Sequence, residues 1–213
     1  SSKGLSNNQI EYIFKDSRGF MWFASHMGLN RYDGINFKVY KHIKDDPSSS
    51  PYDKYTQIQE DYDNRLWLQY ANGGYVIYDL KTETFVQDID SILMKLNLPA
   101  KPDLVEIDYN KDIYCYYHDK NDIYKYESEK QTIKIFTITN NEEHKNNEII
   151  NLKISKDFIW LLYQKGTVEC LNKKTKATDF RNTFFQENGG NPTIQRSLFI
   201  DKEQQVWLYP AIS

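Results

Sequence analysis

The chain has 213 residues, 39% of them hydrophobic and 15% aromatic, with 17 Tyr, 11 Phe and 4 Trp. That is enough apolar material for a sizeable core, which excludes a disordered tail; because aromatic rings favour strands over helices, an all-β chain is expected. With 27 Lys and Arg against 30 Asp and Glu the net charge is −3 and no segment concentrates basic residues, which argues against a nucleic-acid partner.

Along the chain an acid and an aromatic recur six positions apart: Asp16 and Trp22, Asp61 and Trp67, Asp108 and Tyr114, Asp201 and Trp207. A further copy at Ile154 to Trp160 keeps the aromatic and loses the acid. The aromatics stand at 22, 67, 114, 160 and 207, a period of about 46 residues, and such a period marks a repeat architecture. Each period reads as four short strands. In the first, Ile10 to Phe14 alternates before a polar turn, then come Met21 to Ala24, Leu29 to Tyr32, the hairpin signal Asp33-Gly34, and Phe37 to Tyr40. The second runs through Ile58 to Glu60, Leu66 to Tyr70, Tyr75 to Tyr78 and Thr84 to Gln87; the third through Leu104 to Ile107, Ile113 to Tyr117, Ile123 to Tyr126 and Ile133 to Phe136. The fourth has Ile149 to Ile154, Phe158 to Tyr163, Thr167 to Leu171 and Thr178 to Phe180, and a fifth begins at Ile194 and ends after two strands.

Four-stranded antiparallel units of this size are expected to be β-propeller blades, at about 7–41, 55–87, 104–137, 149–181 and, incomplete, 194–213. In such sheets the recurrent aromatic packs between neighbouring blades, and the recurrent Asp caps backbone N–H groups in the first hairpin. The connections at 41–54, 88–103, 139–148 and 182–192 read as solvated loops, with a turn or two of helix at Ser91 to Leu96. Two cysteines, Cys115 and Cys170, are too few for a disulfide framework and lack zinc-site spacing; they read as small buried hydrophobes, with a single bond between them left open. No run of 18 apolar residues occurs, and the chain begins Ser1-Ser2-Lys3-Gly4 without a charged-then-apolar leader, so the sequence itself leaves the compartment open.

At Gly4-Leu-Ser-Asn-Asn-Gln-Ile10, Asp16-Ser-Arg-Gly-Phe-Met-Trp-Phe23 and Gly28-Leu-Asn-Arg-Tyr-Asp-Gly34 the sequence resembles the two-component-regulator propeller repeat. This repeat fills the N-terminal periplasmic sensor region of hybrid two-component systems in gut Bacteroides and relatives. The resemblance is sharp in the first copy, good at Leu66-Trp67 and Tyr78-Asp79, and degenerate in the third and fourth. Members usually carry two seven-bladed propellers, an immunoglobulin-like domain, a membrane helix, a histidine kinase, a receiver and a helix-turn-helix regulator. Seven blades of this period need roughly 320 residues, so the resemblance implies a partial propeller of about four and a half blades spanning 1–213. An open arc of blades exposes sheet faces and strand edges, so the free chain is expected to self-associate. The resemblance further implies a periplasmic ectodomain that senses oligosaccharides, works as a homodimer beside the remaining blades and downstream sensor domains, meets the membrane only through a downstream helix, and needs no cofactor.

The matched motifs build blades and transfer no ligand contact. Blade geometry suggests His26, Tyr70, Asn72, His118, Lys120 and Gln164, on the face shared by the second turn of each blade and the inter-blade connections, where rings stack on sugars and polar groups reach hydroxyls. Two rivals share the period. Streptogramin-lyase-like propellers also use an acid, a Gly and a Trp, but the four histidines (26, 42, 118 and 144) are scattered singly and no HxxxH, HExxH or GxSxG motif occurs, so no catalytic or metal site is expected. WD40-type scaffolds would place Asp after Trp and open on Gly-His, and neither occurs.

Overall fold

The computed structural model describes residues 4–71, 73–127, 132–138, 147–187 and 196–210. Each of the first four repeats is a four-stranded antiparallel meander whose strands pair in chain order. Blade 1 holds β1 (Ile10–Lys15), β2 (Met21–Ser25), β3 (Gly28–Tyr32) and β4 (Phe37–Tyr40). Blade 2 holds β5 (Tyr55–Glu60), β6 (Arg65–Tyr70), β7 (Tyr75–Asp79) and β8 (Thr84–Phe85), followed by helix α1 (Ile89–Lys95). Blade 3 is β9 (Leu104–Ile107), β10 (Ile113–Tyr117), β11 (Asp122–Tyr126) and β12 (Ile133–Thr137); blade 4 is β13 (Ile149–Ile154), β14 (Phe158–Tyr163), β15 (Val168–Asn172) and β16 (Thr178–Asn182). A short helix α2 (Phe184–Glu187) precedes a fifth, two-stranded sheet of β17 (Arg196–Ile200) and β18 (Val206–Pro210). The chain is thus a run of β-propeller blades in two compact units, Ser1–Lys101 with Tyr109–Asp112 and Glu127–Gln131, and the remainder. The expected strand start at Ile194 lies outside the described residues.

In blades 1 and 2 and in the fifth sheet the first hairpin is held by its acid. Asp16 Oδ1 accepts from the backbone N–H groups of Arg18 (3.0 Å) and Phe20 (2.9 Å), while Trp22 Nε1 donates to Asp16 Oδ2 at 2.9 Å. The same indole bond joins Trp67 to Asp61 at 2.8 Å and Trp207 to Asp201 at 2.9 Å. The six-residue spacing is what a five-residue loop requires: Lys15 pairs with Met21, Glu60 with Leu66, Ile107 with Ile113 and Ile200 with Val206. The fourth loop residue takes a positive φ in every one of these copies, at Gly19, Asn64, Lys111 and Gln204. In blade 4 Ile154 pairs with Ile159, one residue closer. That shorter hairpin is closed by Ser155 N–H donating to Phe158 O at 3.0 Å, as Asp16 N–H donates to Phe20 O in blade 1, so Ser155 stands at the loop position that holds the acid in the other hairpins. In blade 3 Tyr114 supplies the ring without an indole N–H.

Alternation along the strands sends the aromatic toward the following blade. In the first unit Trp22 is fully buried beside Ile58, Leu66, Leu68 and Tyr78 of blade 2, edge-on to the Tyr78 ring with centroids 5.3 Å apart. In the second unit Tyr114 and Tyr116 meet Ile159 and Leu161 of blade 4, and Trp160 with Leu162 meets Leu198, Val206 and Leu208 of the fifth sheet. Trp207 departs from the expected packing: it is 54% exposed, because its face of the fifth sheet has no further sheet against it among the described residues.

The third turn repeats a second device. Asp33 Oδ1 accepts from Ile35 N (2.8 Å) and Asn36 N (2.6 Å), Asp79 Oδ1 from Lys81 N and Thr82 N, and Asn172 Oδ1 from Lys174 N and Thr175 N. These side chains hold their turns in the Asx manner. Helix α1 starts where Asp88 accepts from Ser91 N at 3.3 Å and buries Ile92 and Leu93.

Glu83, in the turn before β8, ties blade 2 to blade 1 by accepting from Arg31 and pairing with Arg18 (3.3 Å) and Lys38 (3.6 Å). The Arg31 guanidinium bonded to Glu83 holds its carboxyl below the ordinary 4.5. A carboxyl depressed in the folded state adds stability above its unfolded pKa and loses it as pH falls through the folded one. Glu83→Gln is therefore expected to be less stable than the parent at pH 7, with the difference closing as pH drops below 4.5, measured by urea unfolding across pH. A constant difference would contradict this.

Both cysteines are free and buried. Cys115 lies on the face of its sheet opposite Tyr114 and Tyr116, and Cys170 pairs with Trp160, so in the second unit the two thiols sit on faces turned away from the blade 3 to blade 4 contact and form no bond. Burial pushes the Cys170 thiol up to about 11 and raises Cys115 further. Since the thiolate is the nucleophile, a disulfide reagent at mildly alkaline pH is expected to modify neither cysteine in the native chain and both in denaturant; native modification would contradict the burial.

Candidate functional site

At one end of each blade the chain entering the first strand meets the turn after the second. Gln9 O accepts from His26 N (3.3 Å), Lys54 O from Ala71 N (3.3 Å), Asp103 Oδ2 from His118 N (2.7 Å) and Glu148 O from Gln164 N (2.8 Å). His26, His118 and Gln164 thus occupy one equivalent position in three blades, with Ala71 the counterpart in blade 2. Their backbone N–H groups are spent on this junction; the Gln164 side chain is exposed and the two histidines are half-buried.

In the first unit His26 is half-buried and its Nε2 meets Glu11 Oε1, whose other partner is Lys54 Nζ at 3.3 Å. Tyr70 ends β6 and stacks on Tyr52 with ring centroids 4.1 Å apart and planes 21° from parallel. Burial, reinforced by the Tyr52 hydroxyl, raises the Tyr70 phenol above its ordinary value. Asn72 lies outside the described residues. In the second unit His118 is edge-on to Tyr116 at 5.1 Å, while Lys120 and Gln164 are exposed. Beneath them Tyr116 donates to Asn121 Oδ1 (2.7 Å) and the buried Tyr163 donates to Glu169 Oε2 (2.6 Å).

Tyr52, Glu11 and Lys54 were not singled out by sequence reasoning. Tyr52 sits in the Ser/Pro-rich connection that reads as a plain solvated loop, yet that connection is built: Ser50, 1% exposed, donates to Tyr52 O at 2.7 Å and bonds the buried Tyr55 hydroxyl at 2.7 Å, while His42 N donates to Asp53 Oδ1 at 2.8 Å. The sole hint was Tyr between Pro51 and Asp53 where a polar residue would serve. Among the described residues no group of three or more His, Cys, Asp or Glu is placed to hold a metal ion, and no helix is long and apolar enough to cross a membrane. The surface offers stacking and hydrogen bonding.

Residues 4–27 match the profile of the two component regulator propeller family. Comparison with curated proteins finds no match. Among solved structures the chain is similar to the extracellular domain of BT4673 from B. thetaiotaomicron, described as a hybrid two component system, at 18% identity and a TM-score of 0.53, covering 97% of this chain and 33% of that one. It is also similar to PorZ, a surface component of the type-IX secretion system of Porphyromonas gingivalis, at 12% identity and a TM-score of 0.57, covering 99% and 32%. A third likeness is to virginiamycin B lyase from Staphylococcus aureus, at 13% identity and 0.53, covering 95% and 64%. The chain spans about a third of the length of the first two. At such identities the likeness is one of fold, shared by a lyase and by proteins of other kinds. The match over residues 4–27 and the sheets that follow agree: this chain carries a two-component-regulator propeller repeat at residues 4–27 within a run of β-propeller blades resembling in fold the extracellular domain of BT4673.

Proposed function

We propose that the chain, 1–213, is a partial-propeller sensor domain in the periplasmic region of a hybrid two-component histidine kinase and response regulator of Bacteroides type. It binds oligosaccharides released from glycans and thereby controls polysaccharide-utilisation genes. The observation that carries this reading is the regulator-propeller match over residues 4–27, supported by the fold shared with the BT4673 extracellular domain over 97% of the chain. The candidate ligand contacts are, in the first unit, His26 and Tyr70, with Asn72 two residues along the chain from Tyr70, and, in the second unit, His118, Lys120 and Gln164. The fragment itself performs no chemistry; phosphoryl transfer belongs to a kinase elsewhere in the protein.

In this reading the partners are further blades, downstream sensor domains and a second copy of the protein, with a membrane helix outside this chain. Glycan binding favours one arrangement of the dimer over another and so biases the kinase between two states, by no more than the difference in affinity for the two. Titration calorimetry of the chain against oligosaccharides from plant and host polysaccharides tests it: one sugar family should bind with defined stoichiometry. A folded chain that binds none of them contradicts carbohydrate sensing and favours a scaffold that reads a partner protein.

A further inference from the structure

We propose that the stacked Tyr52 and Tyr70 form a platform for a neutral pyranose unit, with Glu11, Lys54 and His26 as its polar rim. This rests on the oligosaccharide reading above and gives that reading a site. Three features build the platform in advance of any ligand. Tyr52 is anchored through its backbone by the buried Ser50. Tyr70 lies back over the β6 to β7 turn, where Gly74 has a φ of +82° and any Cβ would collide with the Tyr70 hydroxyl. The two rings then stack at 4.1 Å. Tyr52 remains 43% exposed; with one ring face covered by Tyr70, the exposure belongs to the other face and the edge.

An exposed, preorganised aromatic face suits the C–H face of a sugar ring and costs little conformational freedom on binding. The rim is continuous with it, since Lys54 O accepts from Ala71 N, next to Tyr70, and Lys54 Nζ lies 3.3 Å from Glu11 Oε1. Glu11, Lys54 and His26 are each about a third exposed, so their polar atoms reach solvent and can exchange their mutual contacts for sugar hydroxyls. Carboxylate acceptor and ammonium donor side by side match the vicinal hydroxyls of a pyranose. Glu11 and Asp53 are offset by Lys54 and by Lys41, whose side chain lies beside Gly28 at this end, so no net charge is offered to attract a sulfated or uronate unit.

The test titrates maltohexaose, cellohexaose, xylohexaose and mannohexaose, with a chondroitin sulfate hexasaccharide as the acidic arm, into the chain and its variants. A neutral hexasaccharide should bind the parent; Tyr52→Ala and Gly74→Ala should each weaken it about tenfold, and Tyr109→Ala, at a ring 79% exposed elsewhere, should leave it unchanged. Tyr52 contributes an exposed ring, so loss of folding does not confound its variant; circular dichroism checks Gly74→Ala. Binding that survives Tyr52→Ala unchanged, or binding of the acidic probe alone, overturns the platform while carbohydrate sensing stands. No binding by any probe to the folded chain overturns both.

Discussion

Trp22→Ala is expected to lower the stability of the chain by about 3–5 kcal/mol, the range for removing a fully buried aromatic from a core. The indole fills the contact between blades 1 and 2 and donates to Asp16, itself 3% exposed, so truncation leaves both a cavity and a buried carboxylate short of one donor. Trp207 holds the same sequence position and makes the same bond to Asp201 at 2.9 Å, but its ring is 54% exposed. Trp207→Ala should therefore cost no more than about 1 kcal/mol. Urea unfolding of the two variants separates what the motif contributes from what the neighbouring sheet contributes. Equal losses would mean that the acid-to-indole hairpin, not burial between blades, is what the repeat preserves.

The second large effect is at Asp61. Its carboxylate is 1% exposed and accepts from Arg65 N at 3.0 Å, Arg65 Nε at 2.7 Å and Trp67 Nε1 at 2.8 Å. Arg65 is itself buried, with a further bond to Asp63 at 2.8 Å. Asp61→Ala breaks a buried ion pair from one side, leaving Arg65 Nε and the Trp67 indole N–H without their acceptor while Asp63 still holds Arg65 Nη2, which is worth about 3–5 kcal/mol. Asp61→Asn keeps one acceptor oxygen and should lose markedly less. The thermal melts of the two variants, read against the parent, check the order. A harmless Asp61→Ala would show that the first hairpin of blade 2 closes without its acid.

The strands were readable because each blade lies in one stretch of chain and alternates against both of its neighbours. In blade 3, for instance, Leu104–Ile107 and Ile113–Tyr117 begin and end at the polar turn residues that bound them. Blade 4 shows the limit: the loss of the acid is visible in the sequence, but that Ser155 and not Ile154 holds its place appears only once Ile154 is seen paired with Ile159. Contacts between distant segments leave no local pattern and were invisible for that reason. Nothing in the run Asp46-Pro-Ser-Ser-Ser-Pro51 announces that Ser50 will be buried against Tyr55, or that Tyr52 will meet Tyr70 in the next turn. Glu83 likewise looks like an ordinary turn residue until Arg18, Arg31 and Lys38 of blade 1 converge on it. Of the surface residues singled out, His26, His118 and Gln164 share one structural position, because they were chosen by their place in the repeat.

The central proposal is that the protein bearing this chain reports an oligosaccharide to transcription. The most direct measurement deletes the gene in its own organism and follows transcripts during growth on single polysaccharides. One polysaccharide-utilisation gene set should lose its induction, and a copy carrying Tyr52→Ala should restore it only at higher sugar concentration. Unchanged induction on every polysaccharide would contradict the claim.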